Sequence, residues 1–167
     1  GEKNKCIFPA RTHGQLAVPT RFDKEIDVFI VRIDEVWKDT IDFGFKAKFG
    51  GAVGNLSAHY LAFSDHEWSE FMDKFLRKYD LDIEWNTTQV SNNISICKYF
   101  DQIRMINNIL INLCRDIWMY NSYGYFKQAV TANEVGSSTM PQKINPINFE
   151  NAEGNLEFAN CLLSFMS

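Results

Sequence analysis

Several features of common protein classes are missing from the 167-residue sequence. It has no run of about 18 uncharged apolar residues, which argues against a membrane-spanning helix. Its start lacks the basic-then-apolar order of a secretory signal, and lysine and arginine form no stripe suited to nucleic acid or an anionic membrane. With a net charge of −4, we expect a cytoplasmic protein that has neither nucleic acid nor membrane as a partner.

Cysteine patterns and common catalytic motifs are also missing. The four cysteines lie far apart and form no C-x-x-C pair, so neither a zinc site nor a small disulfide framework is indicated. We expect buried, reduced thiols and no bound metal. The sequence has no G-x-S-x-G and no phosphate loop, and Lys143 lies six residues after Ser137, which does not fit S-x-x-K. Nucleophilic hydrolysis therefore explains the sequence poorly.

Apolar residues, by contrast, make up 46% of the chain and recur every three or four positions over long stretches. This spacing predicts amphipathic helices. We expect them from Thr20 to about Phe45, over 65–79 with Asp65 as the N-terminal cap, from Ser95 to about Val130, and from about Ile147. No alternating run is long enough to predict a sheet. The expected class is all-α, with long helices packed as a bundle.

A glycine-rich segment at 48–54 interrupts the helical pattern. Three of its seven residues are glycine, a composition that disfavours helix and suits a close approach of the backbone to a neighbour or ligand. The last residues stop inside an apolar periodic pattern without a helix stop signal. We therefore expect the chain to be a piece of a longer protein.

The stretch GSSTMPQKINP, residues 136–146, is dense in hydrogen-bonding groups and unsuited to helix or strand. Pro141 and Pro146 restrict the backbone around Lys143 and Asn145, so these two side chains would lose little further entropy on gripping a ligand. Backbone N–H groups after Gly136 can cradle an anion. A simple helix connector is the alternative interpretation.

One of the three histidines lies in a setting suited to chemistry. His13, in RTHGQ at 11–15, follows Thr12 and precedes Gly14 and Gln15. A group that titrates near neutral pH is thus flanked by residues able to shape a site. A lone histidine also commonly has a structural role, so this motif by itself leaves both interpretations open.

The 136–146 stretch resembles the G-S-S-x-M-P-x-K-x-N-P signature of the fumarase/aspartase superfamily, whose members release fumarate from succinyl-type substrates. Five more motifs are similar to the branch that acts on succinyl-substituted purine nucleotides: RTHGQ (11–15), GAVGN (51–55), NTTQ (86–89), FKQAV (126–130) and NPINFEN (145–151). The resemblance covers almost all of residues 1–167. It identifies them as the central helical domain, without the N- and C-terminal domains of a complete enzyme.

The resemblance implies a β-elimination on a small nucleotide substrate, with no metal or organic cofactor. By motif position, Ser137 is the base and His13 the general acid, while Glu150 orients this histidine and supports its protonated form. Lys143 would grip the substrate carboxylate and favour the serine alkoxide. The remaining positions that match substrate-binding residues are Thr12, Gln89, Ser138, Met140 and Asn145.

The resemblance further implies a homotetramer with active sites shared between subunits. His13 and Ser137 are more than a hundred residues apart, and we expect them at opposite ends of long helices. One active site can then contain both residues only if they come from different chains. Two departures affect fine substrate contacts: Gln142 stands where many relatives carry histidine, and Leu56-Ser57 replaces an aromatic-asparagine pair. The alternatives are another fumarate-releasing lyase (argininosuccinate lyase, aspartase or fumarase) and an inactive helical structural fragment.

Overall fold

The computed structural model describes residues 6–129, 139–140 and 143–167. Within them the chain forms two short strands followed by a mainly helical unit. The elements are β1 (Ile7–Thr12), β2 (Gln15–Arg21), α1 (Phe22–Ile41), β3 (Phe45–Ala47), α2 (Ser57–Ala62), α3 (Trp68–Arg77), β4 (Leu81–Ile83), α4 (Ile94–Ser122) and α5 (Ile147–Met166). The predicted all-α class is confirmed, and the strands are minor.

Three long helices form the body of the molecule. The 29-residue helix α4 is about 43 Å long and packs against both α1 and α5. Both neighbours run antiparallel to it: Gln102 near its start donates to the Asp39 carbonyl near the end of α1, and Cys97 lies against Ser167 just after α5. The end of α4 therefore lies beside the start of α1 and the start of α5.

Polar side chains join α4 to α5 at two levels. In the middle, Asn107 donates to the Asn160 side-chain oxygen at 2.9 Å, and Asn160 donates to that of Asn108 at 2.9 Å. Asn107 is buried, so the first of these bonds satisfies an amide that water does not reach. Nearer the end of α4, the Arg115 guanidinium contacts two α5 carboxylates, those of Glu153 and Glu157, at 2.6 and 2.5 Å.

The first two strands form an antiparallel hairpin over residues 7–21. Phe8, near its open end, is buried among Tyr120, Tyr125 and Phe126, with ring centroids 5.2, 5.3 and 5.8 Å away. The sequence-based expectation of no sheet is wrong here. The strands contain prolines and are largely exposed on both faces, so they lack the apolar alternation by which a half-buried strand is recognised.

A second small unit lies at the other end of α4. Strands β3 and β4 pair in parallel, and four side chains form its buried core: Leu56, Met72, Leu76 and Ile83. The Lys46 N–H donates to the Ser95 hydroxyl at 3.2 Å, and Tyr99 packs against Phe45 with centroids 5.0 Å apart. This unit is therefore anchored to the first turns of α4.

Helix bounds differ from those predicted by a few residues. Helix α1 ends at Ile41 because Phe45 already pairs in β3, and α3 starts at Trp68, with Glu67 rather than Asp65 at the cap position. Helix α4 ends at Ser122, two residues before Gly124, whose φ of +73° is left-handed. The cysteine expectation is wrong for three thiols: Cys114 is buried, Cys97 is half-buried, and Cys6 and Cys161 are exposed.

Much apolar surface remains uncovered in the single chain. No large side chain of the described residues is fully buried, and α5 contributes no buried residue. Leu61 and Phe165 are 90% and 88% exposed. None of the helices described has both the length and the apolar character needed to cross a membrane. Apolar helix faces this open are typical of surfaces that another chain covers.

Candidate functional site

His13 occupies the tip of the hairpin. Thr12 pairs with Gln15, and the two residues between them have positive φ angles, 52° for His13 and 73° for Gly14. Two consecutive positive φ angles are characteristic of a two-residue type I′ turn, and histidine tolerates this conformation better than most residues with a Cβ. Thr12 and His13 are both exposed. The RTHGQ motif is thus a strand end and turn that presents an imidazole to its surroundings.

Arg11 connects this tip to the end of α4. Its Nη1 donates to the Gly14 carbonyl at 2.8 Å, and its Nε donates to the Tyr125 hydroxyl at 3.0 Å. The guanidinium also lies 4.2 Å from the centroid of the Tyr123 ring, within the range of a cation–π contact. One side chain therefore contacts both the turn and the segment that follows α4.

A cavity of about 310 Å³ lies beneath the hairpin, between Arg11 and Gly14 on one side and α4 on the other. Glu25 accepts a 2.6 Å hydrogen bond from Thr20 there. Partial desolvation, with the Glu25 charge nearby, raises the pKa of Asp116. Desolvation is also the main reason why the pKa of Tyr120 rises to about 12. The cavity therefore disfavours additional negative charge.

The described flank of the signature loop lies at the start of α5. The Lys143 N–H donates to the Met140 carbonyl at 2.9 Å, and the Asn145 carbonyl accepts from the Ile147 N–H at 2.8 Å. Pro146 is the buried residue that precedes α5. Met140 and Lys143 are exposed and Asn145 is half-buried. Ser137 and Ser138, the predicted base and its neighbour, lie outside the described residues.

Glu150 lies in the first turn of α5 and lines a cavity of about 480 Å³ together with Arg115, Trp118, Met119 and Glu153. Met119 also lines the cavity beneath the hairpin, so the two cavities have this lining residue in common. Among the described residues no hydrogen bond joins Glu150 to His13. The chain thus brings the predicted acid and its predicted carboxylate to the same end of α4 without direct contact.

Gln89 lies at the opposite end, in an exposed loop between β4 and α4. The buried carboxylate of Glu84 closes the base of this loop by accepting from the Ser91 hydroxyl at 2.6 Å. The loop also rests on the glycine-rich segment, because a Cβ built on Gly54 would lie 1.8 Å from the Thr87 carbonyl oxygen. The expected close backbone approach is therefore confirmed at Gly54, and it joins the GAVGN and NTTQ motifs.

The predicted residues form two groups along α4. The Gln89 loop adjoins the unit that packs on Tyr99, whereas the hairpin packs on Tyr120; these two contacts are roughly 30 Å apart along the helix. The sequence-based expectation places His13 and Ser137 at opposite ends of the helices. Ser137 lies outside the described residues, but the described flanks of its loop lie at the same end of α4 as the hairpin. Gln128 and Pro146 share a cavity with Phe126, which places them at the hairpin end because the helices are antiparallel.

Sequence reasoning missed the residues that hold the hairpin tip. Arg11 was noted only as part of its motif, and Tyr123 and Tyr125 were not singled out. The density of aromatic residues in 118–126 is the signal that could have drawn attention to this segment. Its contact with a hairpin more than a hundred residues earlier in the chain is visible only in the fold.

Comparison with known proteins gives a consistent result. A family model described as "Lyase" matches residues 1–157. The adenylosuccinate lyase of Dictyostelium discoideum is 45% identical over 161 residues, which cover 95% of this chain and 34% of that protein. The adenylosuccinate lyase of Legionella pneumophila (strain Corby) is 44% identical over 153 residues, covering 92% of the chain and 34% of that protein.

The adenylosuccinate lyase of Escherichia coli (strain K12) is 40% identical over 160 residues, or 95% of this chain and 35% of that protein. The chain thus spans about a third of the length of these relatives. The helical architecture and the motifs at 11–15 and 136–146 agree with the match to the family model. The chain belongs to this lyase family, within the fumarase/aspartase superfamily.

Proposed function

We propose that the protein to which this chain belongs is an adenylosuccinate lyase. It would cleave adenylosuccinate to AMP and fumarate, and also release fumarate from the succinyl-carboxamide ribotide of purine biosynthesis. The observation that carries this proposal is the 40–45% identity to adenylosuccinate lyases over 92–95% of the chain. The signature loop alone would be compatible with argininosuccinate lyase, aspartase or fumarase.

The proposed reaction needs a base, an acid and a means of stabilising negative charge. Ser137 removes the proton from the carbon beside a carboxylate, and Lys143 and Asn145 stabilise the resulting dianionic aci-carboxylate. The C–N bond then breaks, its electrons pass to the nitrogen, and His13 protonates that nitrogen. Glu150 supports the protonated histidine. Thr12, Gln89, Ser138 and Met140 complete the proposed substrate contacts, and no metal or organic cofactor is required.

The separation of Gln89 from His13 favours sites shared between subunits. The unit with the Gln89 loop and the hairpin with His13 pack on α4 at Tyr99 and Tyr120, roughly 30 Å apart along the helix, which is farther than one nucleotide reaches. The exposed apolar faces of α4 and α5 provide surfaces on which other copies could pack. We therefore propose a homotetramer in which each site takes Gln89 and His13 from different chains, and we place the enzyme in the cytoplasm.

Fumarate release tests the function directly. The protein expressed from its complete coding sequence should form fumarate from adenylosuccinate and from the succinyl-carboxamide ribotide, measured by the absorbance of the conjugated double bond. Argininosuccinate, aspartate and malate serve as the competing substrates. Faster turnover of any of these three would assign the protein to another branch, and inactivity on all five would support the alternative of a helical structural protein without activity.

Ser137→Ala tests the assignment of the base. Only a transition-state role is lost, so kcat should fall by several orders of magnitude while KM changes little. Ser138→Ala, the adjacent control, should be much milder. Activity of Ser137→Ala within about tenfold of wild type, equivalent to roughly 1.4 kcal/mol, would show that another group removes the proton.

A further inference from the structure

The hairpin tip that bears His13 has few contacts of its own. The buried anchor of the hairpin, Phe8, lies five residues before His13, or about 16 Å along an extended strand. Residues 15–19 of the returning strand are all exposed. Packing at Phe8 therefore leaves the tip free to pivot, and a side chain that acts in catalysis requires a better defined position.

Arg11 supplies contacts that Phe8 cannot. Its guanidinium is planar and directs its N–H groups along fixed lines. One donates to the Gly14 carbonyl and another to the Tyr125 hydroxyl, at 2.8 and 3.0 Å, while its face lies on Tyr123. Of the side chains described, Arg11 alone hydrogen-bonds both to the turn and to the segment after α4.

We propose that Arg11 is a positioning residue for the proposed acid His13. By holding the carbonyl of Gly14, the residue next to His13, it stabilises the left-handed turn. Through Tyr125 and Tyr123 it fixes that turn relative to the end of α4, which leads into the signature loop. The inference rests on the proposed function, because it gives His13 a catalytic role.

Two conservative changes separate the parts of this contact. Arg11→Lys keeps the charge but cannot make the two directed hydrogen bonds together with ring stacking. Tyr125→Phe keeps every ring contact and removes only the hydroxyl acceptor. Arg77→Lys is the control, because Arg77 is an exposed arginine that bonds Asp73 at 2.8 Å in the distant small unit.

The first measurement is hydrogen exchange of residues 9–16 in the complete protein. Exchange at the tip should rise in Arg11→Lys and in Tyr125→Phe and stay at the wild-type rate in the control. This result does not depend on which substrate the enzyme uses. Unchanged exchange in both variants would overturn the proposed contact.

The second measurement is kinetic. Arg11→Lys should lower kcat at least tenfold and leave KM within about twofold, because the acid acts in the transition state. In a His13→Ala background the same change should lower the residual rate no further, since residues that act as one unit are not additive. A fall of similar size in that background, or unchanged kcat despite faster exchange, would overturn the positioning role.

Failure of the proposed function gives a different pattern. If the wild-type protein released no fumarate from the substrates named above, the catalytic role of His13 and the positioning role of Arg11 would both be wrong. Faster tip exchange in the variants would then identify Arg11 as a structural clamp alone.

Discussion

Gly54→Ala is expected to displace the loop that carries Gln89. An added Cβ at this position would lie 1.8 Å from the Thr87 carbonyl oxygen and 2.6 Å from the Thr87 carbonyl carbon, whereas ordinary contact begins at 3.4 Å. The obstacle is backbone, so no side-chain rotation can relieve it. The Thr87 carbonyl must retreat by about 1.6 Å.

The energetic effect has two parts that a control variant separates. Gly54 has a φ of +76°, so alanine carries a left-handed backbone penalty of about 1 to 2 kcal/mol in addition to the collision. Gly51 has a φ of +71° with nothing within 4 Å of the added Cβ, and Gly51→Ala therefore carries the penalty alone. Overpacking contributes about 1 to 3 kcal/mol more at Gly54.

Hydrogen exchange across residues 84–92 measures the difference. The additional destabilisation corresponds to an exchange rate about 5- to 150-fold faster in Gly54→Ala than in Gly51→Ala, provided that the loop opens locally. KM for the proposed substrate, adenylosuccinate, should rise more in Gly54→Ala as well, because Gln89, a proposed substrate contact, lies two residues after Thr87. Equal exchange and equal KM in the two variants would show that the close approach to Thr87 does not hold the loop.

Three further predictions concern charge and assembly. Lys143→Met should raise KM at least about tenfold and also lower kcat, because a cation that binds a substrate carboxylate acts in both the ground state and the transition state. If steady-state kinetics show both constants unchanged, the signature loop is only a connector. His13→Ala, with only a residual rate, and weakly binding Gln89→Ala, unfolded and refolded together, should recover part of the wild-type kcat/KM. Subunit exchange proven by mass without such recovery would place both residues in one chain. Asp116→Asn should raise the thermal midpoint at pH 7, because partial desolvation and Glu25 raise the pKa of Asp116, so that its carboxylate destabilises the fold as pH rises. The gain, at most about 1 kcal/mol after allowance for solvent screening, should vanish below pH 3.8, and a gain that persists there would have another cause.

The long helices could be predicted because their apolar spacing persists over many turns. A period of 3.6 residues repeated from Phe100 to Tyr120 leaves no alternative that buries the same side chains. The hairpin could not be predicted in this way, since Pro9 and Pro19 interrupt its strands and few of its side chains are buried. Its His13-Gly14 turn also lacks the Asn-Gly pair that usually signals a two-residue hairpin.

The candidate site was predictable as a set of residues but not as an arrangement. Motif identity was enough to select His13, Lys143 and Glu150 as candidates, and these stay predictions. Their distribution along α4 depends on which helix ends are adjacent, and that follows from packing between segments more than a hundred residues apart. The same is true of Arg11, whose partners Tyr123 and Tyr125 belong to a segment with no motif-based reason to meet it.

The amide pairs between α4 and α5 have a consequence for the geometry of the site. Asn107, Asn108 and Asn160 are joined by two hydrogen bonds. Sliding one helix past the other by a turn, about 5.4 Å, would leave the buried Asn107 amide unpaired. Apolar contacts alone tolerate such a slip far better. Glu150 lies ten residues before Asn160 on the same helix, about 15 Å away. The position of its carboxylate along α4 therefore depends on amides that do not line its cavity.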